Sequence, residues 1–403
     1  MLKIAFRNVF RQKRRSLLTA LAMLGGFVLA SFSIAWGDGT YSDVIRSFTH
    51  NRMGDIQIHA KGYLDHPSLY KTIRDYQRIG AVAAAQPHVE HWTPRVYAGG
   101  LASVGPRTTA TRIIGIDLDR EIATTGFSGK VISGTVFSSE GIKQAILGKD
   151  LAGLLSAGVG GQVAVVSQAA DGSVANDLYT IVGLTSTGDV NSDRTDFYLP
   201  LKEAQDFLAL GNQVHEIAVT VDSTAHAGET ASRIAATLAD PNLSIEPWQE
   251  FAQDFYHAMK ADLQGMWIML FIIILIVAVG VLNTVLMSVL ERQREYGVLR
   301  ALGTRPWEIF RMVIYEADFL ALGSVALGSV IALVLNYAFS IHGVTLGEPY
   351  SYGGVNFDRF RTELNLRSFL IPAATVMVSA LTVAVFPALR AARTDPARAM
   401  RIH

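Results

Sequence analysis

Four long apolar runs divide the chain into membrane-like and water-soluble parts. Each run is free of charged residues and supplies the roughly 20 apolar residues that a helix needs to cross the hydrocarbon core of a bilayer. The runs cover residues 17–36, 267–290, 319–341 and 368–389. The pattern therefore predicts four transmembrane helices.

The first run has an alternative interpretation as a cleaved secretory signal, because six basic residues precede it. The apolar part of such a signal is usually about 7–15 residues long. This run has 20 residues and ends at Trp36, a residue type that favours the membrane interface. We therefore expect an uncleaved anchor.

Basic residues are concentrated on one side of the predicted spans. Residues 1–15 hold six basic residues and no acid, and the 291–311 loop holds five arginines against three glutamates. The tail after residue 389 holds four arginines and one aspartate, whereas the 342–366 segment is nearly balanced. Because short basic flanks stay in the cytoplasm, we predict that both termini and the 291–311 loop are cytoplasmic. Trp36 and Trp267 then both lie at the outer interface.

The spans and their orientation set the predicted limits of each segment. These are a cytoplasmic amphipathic helix at 1–15, the first span at 16–36, an extracytoplasmic domain at 37–266, the second span at 267–290, a cytoplasmic coupling loop at 291–315, the third span at 316–341, a short extracytoplasmic loop at 342–366, the fourth span at 367–389 and a cytoplasmic tail at 390–403.

The 37–266 segment is long enough for one folded domain or two subdomains. Alternation of apolar and polar residues predicts strands at 54–60, 89–104, 108–117 and 214–222, and on both sides of a turn at Asp171-Gly172. Helical spacing predicts helices at 69–85, 143–157, 201–210 and 227–239. The predicted fold class is an α-helical membrane protein with four transmembrane helices and a large α+β extracytoplasmic domain between the first and second helices.

Composition and motifs exclude several kinds of function. The chain has 35 basic and 35 acidic residues, which gives no charge signature for nucleic acid. It has no cysteine, so disulfides, thiolate metal sites and cysteine nucleophiles are excluded. It contains neither a G-x-S-x-G motif nor a Walker A motif. His88 and His91, on either side of Val89-Glu90, form only a weak metal-ligand pattern, and solvated loop histidines are the better interpretation. We predict no catalytic, cofactor or metal site in this chain.

The charged loop between the second and third spans is unusually compact. Apolar residues recur in it at helical spacing and are interrupted at Gly303 and Pro306. This predicts a helix leaving the second span, a tight turn, and a short surface helix with Thr304 as its N-cap. Any intracellular loop needs solvating charges and an interfacial aromatic residue, but a helical element this compact favours a docking role.

Residues 283–317, NTVLMSVLERQREYGVLRALGTRPWEIFRMVIYEA, resemble the permease signature of ABC transporters in the MacB/FtsX/LolC–LolE family, the mechanotransmission or type VII group. In that family an E-R-x-R-E-x-G-x-L-[RK]-A-L-G run follows the second span, and an E-A pair opens the third. The matching residues are Glu291, Arg292, Arg294, Glu295, Gly297, Leu299, Arg300, Ala301, Leu302, Gly303, Glu316 and Ala317. The stretches FRNVFRQKRRSLLTAL, AILGKDLAGLLSAGVGGQVAVV and PALRAARTDPARAMR are also similar to the family, so the likeness extends over nearly the whole chain.

The resemblance implies a non-catalytic permease subunit in the bacterial inner membrane. Its expected partners are an ABC-type ATPase subunit, a second permease chain (identical or related), a periplasmic accessory protein and membrane lipids, with no nucleic acid. ATP and Mg would be bound by the ATPase and no cofactor by this chain. Hydrolysis would drive conformational work on an amphipathic substrate (a lipoprotein, lipid, drug or peptide) at the outer face of the membrane. The chain starts at the basic helix, which favours an ATPase on a separate chain, and with it either extraction of lipoproteins or lipids or an exporter split between two chains.

The same resemblance makes the loop the candidate coupling site. Its candidate residues are Glu291, Arg292, Arg294, Glu295, Arg300, Gly303, Arg305, Trp307, Phe310 and Arg311. Glu316 and Asp318 enter the third span, where acids are costly and either reach to the interface or pair with an arginine. The small-residue pairs Gly26/Ala30 and Gly280/Thr284 would allow close helix contacts.

Two other classes of function remain as alternatives. A membrane-anchored sensor or regulator, for example one that controls cell-wall hydrolases, would need no docking loop. A membrane enzyme would need paired ionisable groups deep in its spans, and the four apolar runs have none.

Overall fold

A computed structural model describes residues 2–11, 13–138, 142–352 and 355–395. The helices are α1 Leu2–Arg11, α2 Lys13–Phe48, α3 Tyr76–Ala84, α4 Leu118–Thr125, α5 Lys149–Leu155, α6 Val190–Thr195, α7 Leu201–Phe207, α8 Ala227–Leu238, α9 Trp248–Phe251, α10 Gln253–Glu291, α11 Gln293–Ala301, α12 Pro306–His342 and α13 Arg367–Ala392. The strands are β1 Ile56–Ala60, β2 Val89–Val104, β3 Arg107–Ile116, β4 Val131–Gly134, β5 Gln144–Gly148, β6 Gln162–Gln168, β7 Val174–Thr185, β8 Asp196–Pro200, β9 Glu216–Val221, β10 Leu243–Pro247, β11 Val344–Tyr352 and β12 Val355–Phe360.

The chain divides into two compact units. The membrane unit comprises Met1–Tyr41, Met259–Leu346 and Arg359–His403, and the outer unit comprises Ser42–Ala258 and Gly347–Asp358. The long 37–266 segment therefore contributes one compact unit and not two subdomains.

Among the described residues, the membrane unit contains four helices that are long and apolar enough to cross a bilayer, namely α2, α10, α12 and α13. This confirms the predicted number of spans. Their shared core includes Phe27, Val281, Ala321 and Ala384. Many of the packed residues are small, because without a hydrophobic driving force in lipid the helices gain most from close backbone approach.

Two polar side chains of α12 pair with α2 inside the membrane unit. The Ser324 hydroxyl donates to the carbonyl of Ala20 at 3.1 Å, and the Asn336 amide donates to the Ser31 hydroxyl at 3.3 Å. Both pairs join α12 to α2. Unsatisfied polar groups are expensive in hydrocarbon, so these hydrogen bonds fix how the two helices face each other.

The N-terminal helix α1 lies against α12. Ala5 and Asn8 are buried, and the ring of Phe6 meets that of Phe319 edge-on at a centroid distance of 5.5 Å. On the other side of α1, Arg7 and Arg11 are exposed.

The outer unit is built on one mixed sheet of ten strands. Its order is β10-β1-β9-β2-β3-β8-β5-β7-β4, and β6 pairs with β2 and β7. The β3–β8 and β5–β7 pairs are parallel, and the other pairs are antiparallel. With its helices, this sheet confirms the predicted α+β class.

Most of the predicted strands are present, and two predicted helices are partly wrong. The hairpin of β2 and β3 turns at Gly105, whose φ of 57° lies in the left-handed region that favours glycine. Residues 143–157 were expected to be helical, but β5 precedes the short α5, because Ala145, Ile146 and Leu147 are buried within the sheet. The 69–85 helix is restricted to α3, since Ile73 forms a β-bridge with Val214.

The predicted short outer loop at 342–366 contains a two-stranded sheet of β11 and β12. After it, the Thr362 hydroxyl donates to the carbonyl of Asn336 at 2.7 Å, and the Glu363 N–H donates to the carbonyl of Ala35 at 2.9 Å. Beyond residue 395, the predicted tail at 390–403 lies outside the described residues.

Candidate functional site: the loop between the second and third spans

The predicted coupling loop consists of α11 between two breaks in the backbone. The first break is at Arg292, whose φ of −100° and ψ of 13° separate α10 from α11. The second is a turn around Gly303, whose φ of 92° favours glycine. After this turn the chain enters α12 at Pro306.

The short surface helix predicted before the third span is wrong. Residues from Pro306 onward belong to one continuous helix, α12, because the apolar positions of the loop continue in register into the span. The N-cap is Arg305, and not Thr304 as expected. The Arg305 N–H donates to the Glu308 carboxylate at 2.9 Å, which satisfies one free donor of the first turn.

Arg292 is the centre of an inward-facing ion-pair network. Only 7 % of Arg292 is exposed, and its guanidinium lies 3.0 Å from the carboxylate of Glu316 and 3.0 Å from that of Glu295. Glu295 also pairs with Arg11 of α1 at 3.2 Å. The network thus connects the α10–α11 break to α12 and to the N-terminal helix.

A small cavity lies beside this network. Its volume is about 30 Å³, and its lining includes Ser16, Thr284, Tyr296 and Glu316. The buried Tyr296 hydroxyl has no hydrogen-bond partner among the described residues. The cavity has several polar groups in its wall and is large enough for an ordered water that would supply one.

The tip of the loop exposes apolar and cationic side chains together. Leu302 is 79 % exposed and Trp307 is 62 % exposed. The rings of Trp307 and Phe310 stack with a centroid distance of 4.9 Å and an interplanar angle of 11°. Arg294, Arg305 and Arg311 are exposed as well, although Arg311 also contacts the Tyr315 hydroxyl.

The candidate residues therefore divide into two groups. Arg292 and Glu316 are turned inward, and Glu295 joins their network from a partly exposed position. The exposed residues are Glu291, Arg294, Gly303, Arg305, Trp307 and Arg311, with Phe310 half-buried behind Trp307. Arg300 belongs to neither group, because it donates to the carbonyl of Thr304 at 3.3 Å and holds the turn. Asp318 is half-buried and has no ion pair among the described residues.

A second polar feature, which sequence reasoning missed, is a cavity of about 1600 Å³ in the outer unit. Arg95 lies in its wall with 4 % exposure and pairs with Glu121 at 2.7 Å and Glu216 at 2.9 Å. Glu216 also accepts hydrogen bonds from His59 at 3.3 Å and from the Tyr97 hydroxyl at 3.1 Å. A charged residue on the face of a strand shared with Thr93 and Tyr97 was the only sequence signal.

The pKa values in this cavity follow from burial and charge. Burial raises the pKa of Glu121 and Glu216, but the Arg95 guanidinium and hydrogen bonds to the carboxylates outweigh burial, so both pKa values are lowered. Burial lowers the pKa of Lys130 from 10.5 to about 8, against the opposing effect of Glu121. The wall of the cavity therefore holds a buried ion-pair network whose carboxylates are kept charged by Arg95.

Comparison with known proteins finds relatives for both parts of the chain. The "MacB-like periplasmic core domain" family matches residues 16–237, which is more than half of the chain, and the "FtsX-like permease C-terminal" family matches residues 267–396. The lipoprotein-releasing system transmembrane protein LolC of Xylella fastidiosa is 24 % identical over 345 residues, which are 82 % of each chain. The macrolide export ATP-binding/permease protein MacB of Pasteurella multocida is 23 % identical over 98 % of this chain and 59 % of its own length.

Two solved structures are similar to the outer part of the chain. The periplasmic region of MacB from Actinobacillus actinomycetemcomitans matches with a TM-score of 0.37 and 14 % identity, over 50 % of this chain and 93 % of that one. The extracellular domain of the ABC-type transporter YknZ from Gram-positive bacteria matches with a TM-score of 0.35 and 13 % identity, over 47 % and 98 %.

Proposed function

The chain belongs to the MacB/FtsX/LolC–LolE family of ABC transporter permeases, and we propose that it is the transmembrane subunit that couples a separate ATPase to work on an amphipathic substrate. ATP and Mg are bound by the partner, and this chain performs no catalysis itself. The substrate is handled at the outer face of the bacterial inner membrane.

The observation that carries this proposal is the construction of the 291–315 loop. Its exposed tip combines the stacked Trp307–Phe310 pair with three exposed arginines. Aromatic residues and arginine are the types that dominate binding energy at protein interfaces. Behind the tip, the Arg292–Glu316 pair connects the loop to the third span, so that a push on the tip is transmitted to the helices.

The proposed orientation places both termini and this loop in the cytoplasm. The distribution of basic residues supports it. A second permease chain, identical or related, would lie against α10. In the most apolar part of that helix only 11 % of residues are buried within the chain, and Gly280 faces open space.

Among the possible substrates, a lipoprotein is our first proposal, with lipids and drugs or peptides as the alternatives. LolC relatives, named for lipoprotein release, match over the same large share of both chains. The MacB relatives are named for macrolide export. The charged cavity of the outer unit is the proposed contact for the polar part of the substrate or for a periplasmic accessory protein.

Substitution of the exposed tip tests the coupling role. We expect Trp307→Ala combined with Arg294→Ala to abolish the stimulation of ATP hydrolysis by substrate, while the chain remains folded in the membrane, since Trp307 and Arg294 are both exposed. The measurement is ATPase activity of the complex in nanodiscs. Tyr337→Ala is the matched control, because Tyr337 is an aromatic residue of similar exposure near the other end of α12.

Unchanged stimulation in the Trp307/Arg294 variant would refute the coupling assignment. If neither the native chain nor the variant bound an ATPase, the result would favour the alternative of a sensor or regulator.

A further inference from the structure

Two histidines and one aspartate form a compact cluster on the outer unit, and none of them lines the charged cavity. Nδ1 of His88 lies 2.9 Å from one carboxylate oxygen of Asp222, and Nδ1 of His226 lies 2.7 Å from the other. The two imidazole rings are 3.9 Å apart between centroids. One ligand atom from each residue lies within 4.8 Å of the others.

The sheet brings the first two of these residues together. His88 directly precedes β2 and Asp222 directly follows β9, and the Asp222 N–H donates to the His88 carbonyl at 3.0 Å. His88 has a φ of 71°, which is uncommon for a residue with a side chain. His226 arrives four residues after Asp222 through the 3₁₀ turn Thr224–His226, just before α8. Backbone pairing therefore holds the positions without help from a ligand.

The donor set determines which ion would bind. Two imidazole nitrogens and one carboxylate oxygen suit Zn²⁺, Cu²⁺ or Ni²⁺ and not the all-oxygen sites of Ca²⁺ or Mg²⁺. Bonds of about 2.0–2.1 Å in a tetrahedral site place the ligand atoms about 3.3 Å apart. The cluster, with its atoms within 4.8 Å, needs only small side-chain rotations to reach that spacing.

The cluster is also accessible. The side chains of His88, Asp222 and His226 are 37 %, 45 % and 38 % exposed, so an ion can enter from solvent and the rings have room to turn. Three protein ligands leave at least one coordination position open for water or for a ligand from a partner.

We propose that His88, Asp222 and His226 form a binding site for one divalent transition-metal ion on the outer unit. This pairing differs from the His88/His91 pattern visible in the sequence, because His91 lies within β2 and is not part of the cluster. The competing explanation is that Asp222 simply bridges two imidazoles through hydrogen bonds, with no role for a metal.

Cu²⁺ is the probe for the first test, since its electron paramagnetic resonance spectrum reports the number of nitrogen ligands. The full chain is purified in nanodiscs through a tag without histidine and stripped with chelator. We expect one Cu²⁺ per chain at this site with a two-nitrogen pattern, and a one-nitrogen pattern or no bound ion in His88→Ala and in His226→Ala. Asp222→Asn is expected to weaken binding about tenfold or more. His91→Ala is the matched control and should leave the spectrum unchanged.

A second measurement separates loss of the site from loss of folding. Zn²⁺, added at a concentration near its dissociation constant for the native chain, should slow hydrogen exchange of the backbone amides at 222–230 in the native chain and in His91→Ala, but not in Asp222→Asn, whose exchange without metal should stay close to native. Cu²⁺ binding that survives both histidine substitutions, or Zn²⁺ protection that persists in Asp222→Asn, would overturn the proposal.

Discussion

At the scale of single residues, the outer unit depends on Arg95. Its guanidinium is buried between Glu121 and Glu216, and both carboxylates receive further hydrogen bonds, from Thr93 and Thr125 on one side and from Tyr97 and His59 on the other. A buried ion pair need not stabilise a fold more than an apolar replacement would, but removal of one partner leaves an unpaired buried charge. We therefore expect substitution of Arg95 to destabilise the outer unit strongly.

We expect Arg95→Met to lower the free energy of unfolding of the outer unit by about 3–5 kcal/mol at pH 7. The measurement is hydrogen exchange of the β2 and β9 amides in the full chain in nanodiscs. Arg78→Met, an exposed arginine of α3, is the control and should change little. Equal protection in the two variants would contradict the account of the network.

The pH dependence of the same amides tests the sign of the pKa shifts. The pKa values of Glu121 and Glu216 are lowered in the folded chain, so their contribution to stability is present above their unfolded pKa of about 4.3. It is lost as the pH falls through the folded values. The loss of unfolding free energy in Arg95→Met, relative to the native chain, should become smaller between pH 7 and about pH 4.5. The reason is that carboxyls without a cationic partner take up protons more readily. A deficit that stays constant over this range would show that charge is not its cause.

At the scale of elements, small residues decide which helix faces meet. A Cβ atom at Gly26 of α2 would collide with Val277 of α10, whereas one at the adjacent Gly25 would meet nothing within 4 Å. The Gly26/Ala30 pattern in the sequence thus corresponds to a close contact within the chain. The similar Gly280/Thr284 pattern does not, since a Cβ at Gly280 would also meet nothing within 4 Å.

The contrast between Gly25 and Gly26 provides a matched pair of substitutions. We expect Gly26→Leu to destabilise the membrane unit by about 1–3 kcal/mol through overpacking. Gly25→Leu should be neutral or slightly stabilising, because leucine favours the helix over glycine. Thermal stability of the full chain in detergent, followed by size-exclusion chromatography, is the measurement. If the two variants had the same melting temperature, the α2–α10 contact would be wrong.

The sequence could predict elements that are set by local periodicity, and it failed where distant residues decide. The four spans and the β2–β3 hairpin follow from apolar runs, alternation and the Gly105 turn. Strand β5 was mistaken for a helix because its apolar run continues into α5, and only its position inside the sheet distinguishes it. The Arg95 network and the His88 cluster join residues more than 100 positions apart, so no sequence spacing indicates them.

At the scale of the whole molecule, the proposed coupling role requires the loop and the outer unit on opposite sides of the membrane. The chain has no cysteine, so a single introduced cysteine can be labelled without background, and its labelling shows on which side of the membrane it lies. Leu302→Cys at the exposed loop tip should react with a membrane-impermeant maleimide only after the membrane is permeabilised. Ser173→Cys, in the exposed turn between β6 and β7, should react in intact spheroplasts. The reverse pattern would invert the proposed topology.

The most direct test of the central claim is to identify what touches the loop. A photoreactive amino acid at Leu302 is cross-linked in the native membrane, and the product is purified and identified by mass spectrometry, with the same group at Tyr337 as the control. The account predicts a cross-link from position 302, and not from 337, to a protein with a Walker A motif. If repeated cross-linking at position 302 gave only lipid, or if both positions gave the same partner, this loop would not be the contact that couples ATP hydrolysis to the permease.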